Sequence, residues 1–181
     1  MKKLSCITTI AFAFIMLLAT NVNAQEFPKM DKSPMDAAAY PASYKESNKL
    51  IKIIYSRPQL KGRDLETLAP NGKVWRTGAN EAAELTLYTD MKLGNKTVKA
   101  GTYTFYIIPG EEECTAIISK DLNVWGSYFY KEANDVARLS VPLNSSEESI
   151  EAFSIAFDKA DNGVNMHLGW GTARLTVPFT K

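Results

Sequence analysis

The chain has 181 residues, in which 21 Lys and Arg stand against 20 Asp and Glu, with one His and two Cys. So balanced a charge excludes a surface that tracks nucleic acid, which needs a net basic face to release counterions from phosphates. One His and two Cys exclude a structural zinc site of about four such ligands, and the length suits a single domain with one core.

Residues 1–24 have the three parts of a secretory leader: Lys2 and Lys3, an apolar run from Ile7 to Ala19, then Val22-Asn23-Ala24 before Gln25. The apolar run is shorter than the roughly 20 residues of a membrane span. The sequence therefore predicts cleavage, export to the periplasm or the extracellular space, and no transmembrane segment afterwards. Cys6 precedes the apolar run, the wrong side for a lipid-anchored cysteine. Cleavage leaves Cys114 alone, so no intramolecular disulfide forms and stability rests on the core.

Residues 25–48 hold Pro28, Pro34 and Pro41 without periodicity and read as an N-terminal arm ahead of a domain spanning 49–181. Within the arm, Ser33-Pro34-Met35-Asp36 before Ala37 to Ala39 offers a hydroxyl cap, a first-turn proline and an acid, predicting one helical turn. Lys49 to Tyr55, rich in β-branched residues, is the first predicted strand.

Ser56 to Glu84 breaks the pattern. Dense in charge, Gly and Pro, it carries Arg57, Lys61, Arg63, Trp75, Arg76, Asn80, Glu81 and Glu84 between two strands. Arg57 precedes a proline, so its backbone is extended and its guanidinium can reach across a sheet edge. A strand at Trp75-Arg76 sends these two side chains to opposite faces, Trp75 to the core and Arg76 to a site. Gly78-Ala79-Asn80 is a tight turn in which Asn80 tolerates a left-handed backbone or touches a ligand.

Beyond it, Ala83, Leu85 and Leu87 alternate with polar partners, Thr97 to Lys99 is a short strand, and Gly101 to Ile108 and Cys114 to Ser119 are strands. Glu111 to Glu113 is a solvated loop tip. Trp125 to Tyr130 reads as an aromatic strand, either packed on both faces or presenting a stacking platform for a sugar or aromatic ligand. Val136 to Val141, Glu151 to Asp158, Val164 to Trp170 and Thr172 to Phe179 complete the set, with Asn144 to Ser149 as a polar loop. Eight or more strands at hairpin spacing predict an all-β fold, an antiparallel β-sandwich or jelly-roll-like single domain.

The runs Tyr55 to Arg63 (YSRPQLKGR), Gly72 to Ala82 (GKVWRTGANEA), Ala100 to Gly110 (AGTYTFYIIPG), WGSYFY with Asp135 to Arg138 (DVAR), and Trp170 to Pro178 resemble the bacterial domain of unknown function 2911 family. The resemblance covers Lys49 to the C-terminus. It implies an exported, mainly β protein of the kind seen in Bacteroidetes, and brings no catalytic residues with it.

The residues themselves supply no cofactor motif and no metal set. His167 shares a strand face with Asn165 and Gly169, opposite Met166 and Leu168, and reads as solvent-facing; Cys114 alternates with core positions and reads as a small buried hydrophobe. Three uses of the excursion stay open. Its Arg and Glu side chains can form a network that pins it to the sandwich. The cluster Arg57, Lys61, Arg63, Trp75, Arg76, Asn80 and Glu81 can bind a small polar or anionic ligand, a glycan or an envelope partner. Glu81 and Glu84 can serve as an acid/base pair on a glycoside. A purely structural envelope protein is the remaining alternative.

Overall fold

Alternation of apolar and polar residues builds two antiparallel sheets whose apolar faces meet. The structure, a computed structural model, describes residues 25–181; the leader expected over residues 1–24 lies outside them. Asp31–Lys181 form one unit. The strands are β1 (Met35–Tyr40), β2 (Ile51–Ser56), β3 (Ala83–Leu87), β4 (Met91–Leu93), β5 (Lys96–Val98), β6 (Gly101–Ile108), β7 (Glu113–Ser119), β8 (Asp135–Pro142), β9 (Asn144–Ala160) and β10 (Gly163–Thr180). Six of them form a sheet in the order β1-β2-β3-β6-β7-β8, and four form a second in the order β5-β4-β10-β9. The all-β sandwich read from the sequence is the fold. No helix among the described residues is long and apolar enough to cross a membrane.

Register shows why the core sits where it does. In the large sheet Ile53 stands opposite Leu85, and Ala83 opposite Phe105, so each odd-numbered set shares the inner face. Ile51, Ile53, Leu85 and Phe105 are fully buried there, against Met166, Val164, Val177 and Phe179 of the small sheet. Each such side chain contributes roughly 1.5–3 kcal/mol on leaving water. Cys114 lies among them, as its alternation predicted.

Three segments differ from expectation. Met35–Tyr40 is an edge strand, paired residue by residue from Met35 opposite Ser56 to Tyr40 opposite Ile51, where a helical turn within the N-terminal arm was expected. One isolated helical turn fixes several dihedrals for a single hydrogen bond, so a complete ladder on an open sheet edge wins. Asn144 to Ser149, expected as a loop, opens the long strand β9. Trp125 to Tyr130, expected as a strand, is a loop over the outer face of the large sheet. Gly126 turns it at φ 65°, and Ser127 Oγ donates to Val74 O at 2.8 Å. Of its aromatics Tyr130 packs on a ring of the sheet, edge-on to Tyr106 at 5.4 Å, with its hydroxyl donating to Asp135 at 2.6 Å.

Tyr106 is 1% exposed, and burial, then Asp121 and Asp135, push its phenol from 10.0 up to about 12. The folded pKa lies above the unfolded one, so the unfolded chain ionises first as pH rises. The associated stability is whole below about pH 10 and is lost as pH climbs to about 12. Thermal melts across that window are expected to show a falling Tm, and Tyr106→Phe should make the fall shallower.

Candidate functional site

The excursion between β2 and β3 ties the two sheets together at one end of the sandwich. It first leaves the large sheet to run beside β9: Leu60 N–H donates to Glu151 O at 3.0 Å and Phe153 N–H to Pro58 O at 2.9 Å. A single helical turn, α1 (Leu65–Leu68), follows. The chain then returns to the large sheet, where Trp75 and Ile107 exchange hydrogen bonds of 2.7 and 3.1 Å.

Between these two attachments lies a cleft of about 280 Å³. Its walls are Trp75 and Ala69 of the excursion, Ile107 and Cys114 of the large sheet, and Phe153, Leu168, Trp170, Ala173 and Leu175 of the small sheet. Glu66, Asn71 and Glu111, all exposed, border it. The aromatics lock one another: Trp75 stacks on Trp170 at 5.5 Å and meets Phe153 edge-on at 4.9 Å. Trp170 Nε1–H donates to Glu151 O at 3.2 Å, which fixes its ring and satisfies its one polar atom. Burial holds the Cys114 thiol above its usual value, so the wall carries no thiolate.

A bulge gives β10 its share of the wall. Pairing to β9 shifts between Gly169 and Gly171 and again between Gly171 and Ala173. Leu168 and Trp170 face inward; an unbroken strand would then turn Thr172 and Arg174 in. The extra residue, Gly171 at φ 54°, resets the alternation so that Ala173, Leu175 and Val177 face inward instead.

The residues singled out in the excursion separate into different places. Arg57 clasps the sheets: Nε donates to Phe153 O at 3.1 Å, Nη2 to Ser154 Oγ at 2.7 Å and Nη1 to Asp36 Oδ2 at 3.1 Å. Arg63 donates to Leu60 O at 3.0 Å and Gln59 O at 2.7 Å, and Lys61 N–H donates to Glu151 Oε1 at 2.7 Å. Trp75 alone of the set lines the cleft. Arg76 lies on the opposite face by alternation, its Nε buried without a partner. Asn80 adopts φ 60°, and its carbonyl accepts from Gly126 N–H at 2.9 Å. Glu81 and Glu84 line a separate outer groove with Asn123.

The expected Arg–carboxylate network is not formed: among the described residues Arg57 bridges Asp36, and neither Glu81 nor Glu84 bridges a cation. The guanidinium groups of Arg57 and Arg63 serve backbone carbonyls because an excursion outside the regular ladders leaves those carbonyls in need of donors. Tyr130, Asp135 and Arg138 meet apart from the cleft, with the Tyr130 hydroxyl donating to Asp135 and Arg138 3.6 Å from Asp135. The sequence marks Phe153, Leu168, Trp170 and Leu175 only as strand residues. The uneven spacing around Gly169-Trp170-Gly171 is the one signal that marks their bend.

Among the described residues no three His, Cys, Asp or Glu side chains are placed to hold a metal ion. No curated protein and no solved structure matches the chain. The family model described as "Protein of unknown function (DUF2911)" matches residues 33–179, and the chain belongs to that family.

Proposed function

We propose that the protein is an exported, non-catalytic binding module that takes the apolar body of a small ligand into the inter-sheet cleft. The observation that carries this reading is the cleft itself. Protein interiors are packed nearly as densely as organic crystals, so an apolar space of about 280 Å³ open at the sandwich end forfeits contacts that a ligand restores. Concave, apolar sites with few polar groups are the common form of small-molecule pockets. Glu66 and Glu111 at the mouth favour an uncharged or cationic head over the anionic group expected from the arginines. The leader pattern of residues 1–24 supports export.

The test uses the neutral fluorophore N-phenyl-1-naphthylamine. Its emission is expected to rise on mixing with the protein and to be lost with Ala173→Phe, which fills the cleft from a half-buried position, while Tm stays within a few degrees. Equal emission from the wild type and the filled variant would sink the reading.

A further inference from the structure

We infer that the outer groove holding Glu81 and Glu84 is a second, independent site, which binds a neutral saccharide without cleaving it. The groove, about 200 Å³, lies on the outer face of the large sheet, where Glu84 stands opposite Ile54 on one side and Thr104 on the other. Asn123 and Glu81 close its rim. Glu81 and Trp125 form a bridge pair, and paired residues project to the same side with Cβ atoms roughly 4.5–5.5 Å apart. The Trp125 indole, 56% exposed, therefore stands beside Glu81 at the rim of the groove.

The loop that carries Trp125 is built to show its aromatics. Gly126 N–H donates to Asn80 O at 2.9 Å, and Ala82 N–H to Val124 O at 3.0 Å, so the backbone is held while Tyr128 and Phe129 stay 77% and 76% exposed. The Tyr128 ring lies across Gly126, where a Cβ would come within 2.7 Å of its edge. Three large aromatics left in water on a pinned loop call for a partner with an apolar face.

A pyranose fits both halves of this surface. Its C–H face packs on an indole or phenol ring, and its hydroxyls donate to carboxylates and exchange hydrogen bonds with an amide. Neither Glu81 nor Glu84 bridges a cation among the described residues, so both carboxylates are open to hydroxyl donors. The same pair disfavours an acidic sugar and an anionic bilayer, because like charges repel and the carboxylates lose water on insertion.

The test is affinity electrophoresis of the protein through gels containing a neutral β-glucan, mannan, xylan, galactan or starch. Retardation is expected in at least one of these gels. Trp125→Ala should weaken it by about tenfold, the effect of losing one stacking anchor, and Glu84→Gln should weaken it less. Tm and naphthylamine binding in the inter-sheet cleft should stay unchanged in both variants, which separates this site from the first. No retardation in any gel, equal retardation with Trp125→Ala, or release of reducing ends from the polysaccharide would each overturn the inference. So would Trp125-dependent sedimentation with anionic vesicles in the absence of polysaccharide binding.

Discussion

Truncating Phe153 to alanine is expected to lower the free energy of unfolding by about 3–5 kcal/mol, as deleting a buried aromatic does when its neighbours cannot collapse into the space. Phe153 is 2% exposed and meets three rings: Tyr55 at 5.5 Å, Trp75 at 4.9 Å and Trp170 at 5.9 Å. Tyr55 belongs to β2, Trp75 to the excursion and Trp170 to β10, so no single element can move inward without breaking its own ladder. Each edge or stacked contact adds roughly 0.5–1.5 kcal/mol beyond the area it buries. Urea unfolding should show the loss as a lower midpoint at unchanged slope. Ala156→Ser, at an exposed position of the same strand, is expected to stay within about 0.5 kcal/mol of wild type. A loss for Phe153→Ala below about 1 kcal/mol would mean that the ring merely borders the cleft and does not hold its walls together.

Much of the sandwich is legible in the residues because strand alternation is a local code. Ala83, Leu85 and Leu87 face the core where period two places them, and Ala173, Leu175 and Val177 share an inner face by the same alternation. His167 is half-exposed between the buried Met166 and Leu168 for the same reason. The code fails where a distant partner decides. Met35–Tyr40 becomes a strand only because β2 offers an edge, and nothing within the hexapeptide says so. Trp125 to Tyr130 has strand composition, yet Gly126 in the left-handed region and the side-chain bond from Ser127 to Val74 hold it as a loop.

The cleft was half legible. Composition marks the excursion as unusual, and it does supply one wall. The facing wall comes from Phe153 and Trp170, brought across by pairing of Gln59 with Ala152, and such non-local pairing leaves no mark in a stretch read by itself. The arginines misled for a physical reason: a cation in a loop suggests a ligand, while an irregular backbone needs donors just as much.

Arg57 is the clearest instance. Arg57→Ala is expected to cost about 2 kcal/mol, since it removes donors to Phe153 O and Ser154 Oγ, and hydrogen bonds from a charged group contribute roughly 1.5–3 kcal/mol. The ion pair with Asp36 adds little, because the two side chains are 37% and 43% exposed and water screens them. Asp36→Asn should therefore cost less than about 0.5 kcal/mol. Arg57→Lys should not rescue the alanine variant, because an ammonium cannot reach Phe153 O and Ser154 Oγ with the geometry of a planar fork. Loss of the clasp also has a local signature. Leu60 and Phe153 amides bond across the crossing from Pro58 to Glu151, so their hydrogen exchange should accelerate more than that of Leu85 in the middle of the large sheet. Uniform acceleration of all three would place Arg57 in global stability alone; selective acceleration identifies it as the latch that keeps the excursion, and with it the wall of the cleft, against the small sheet.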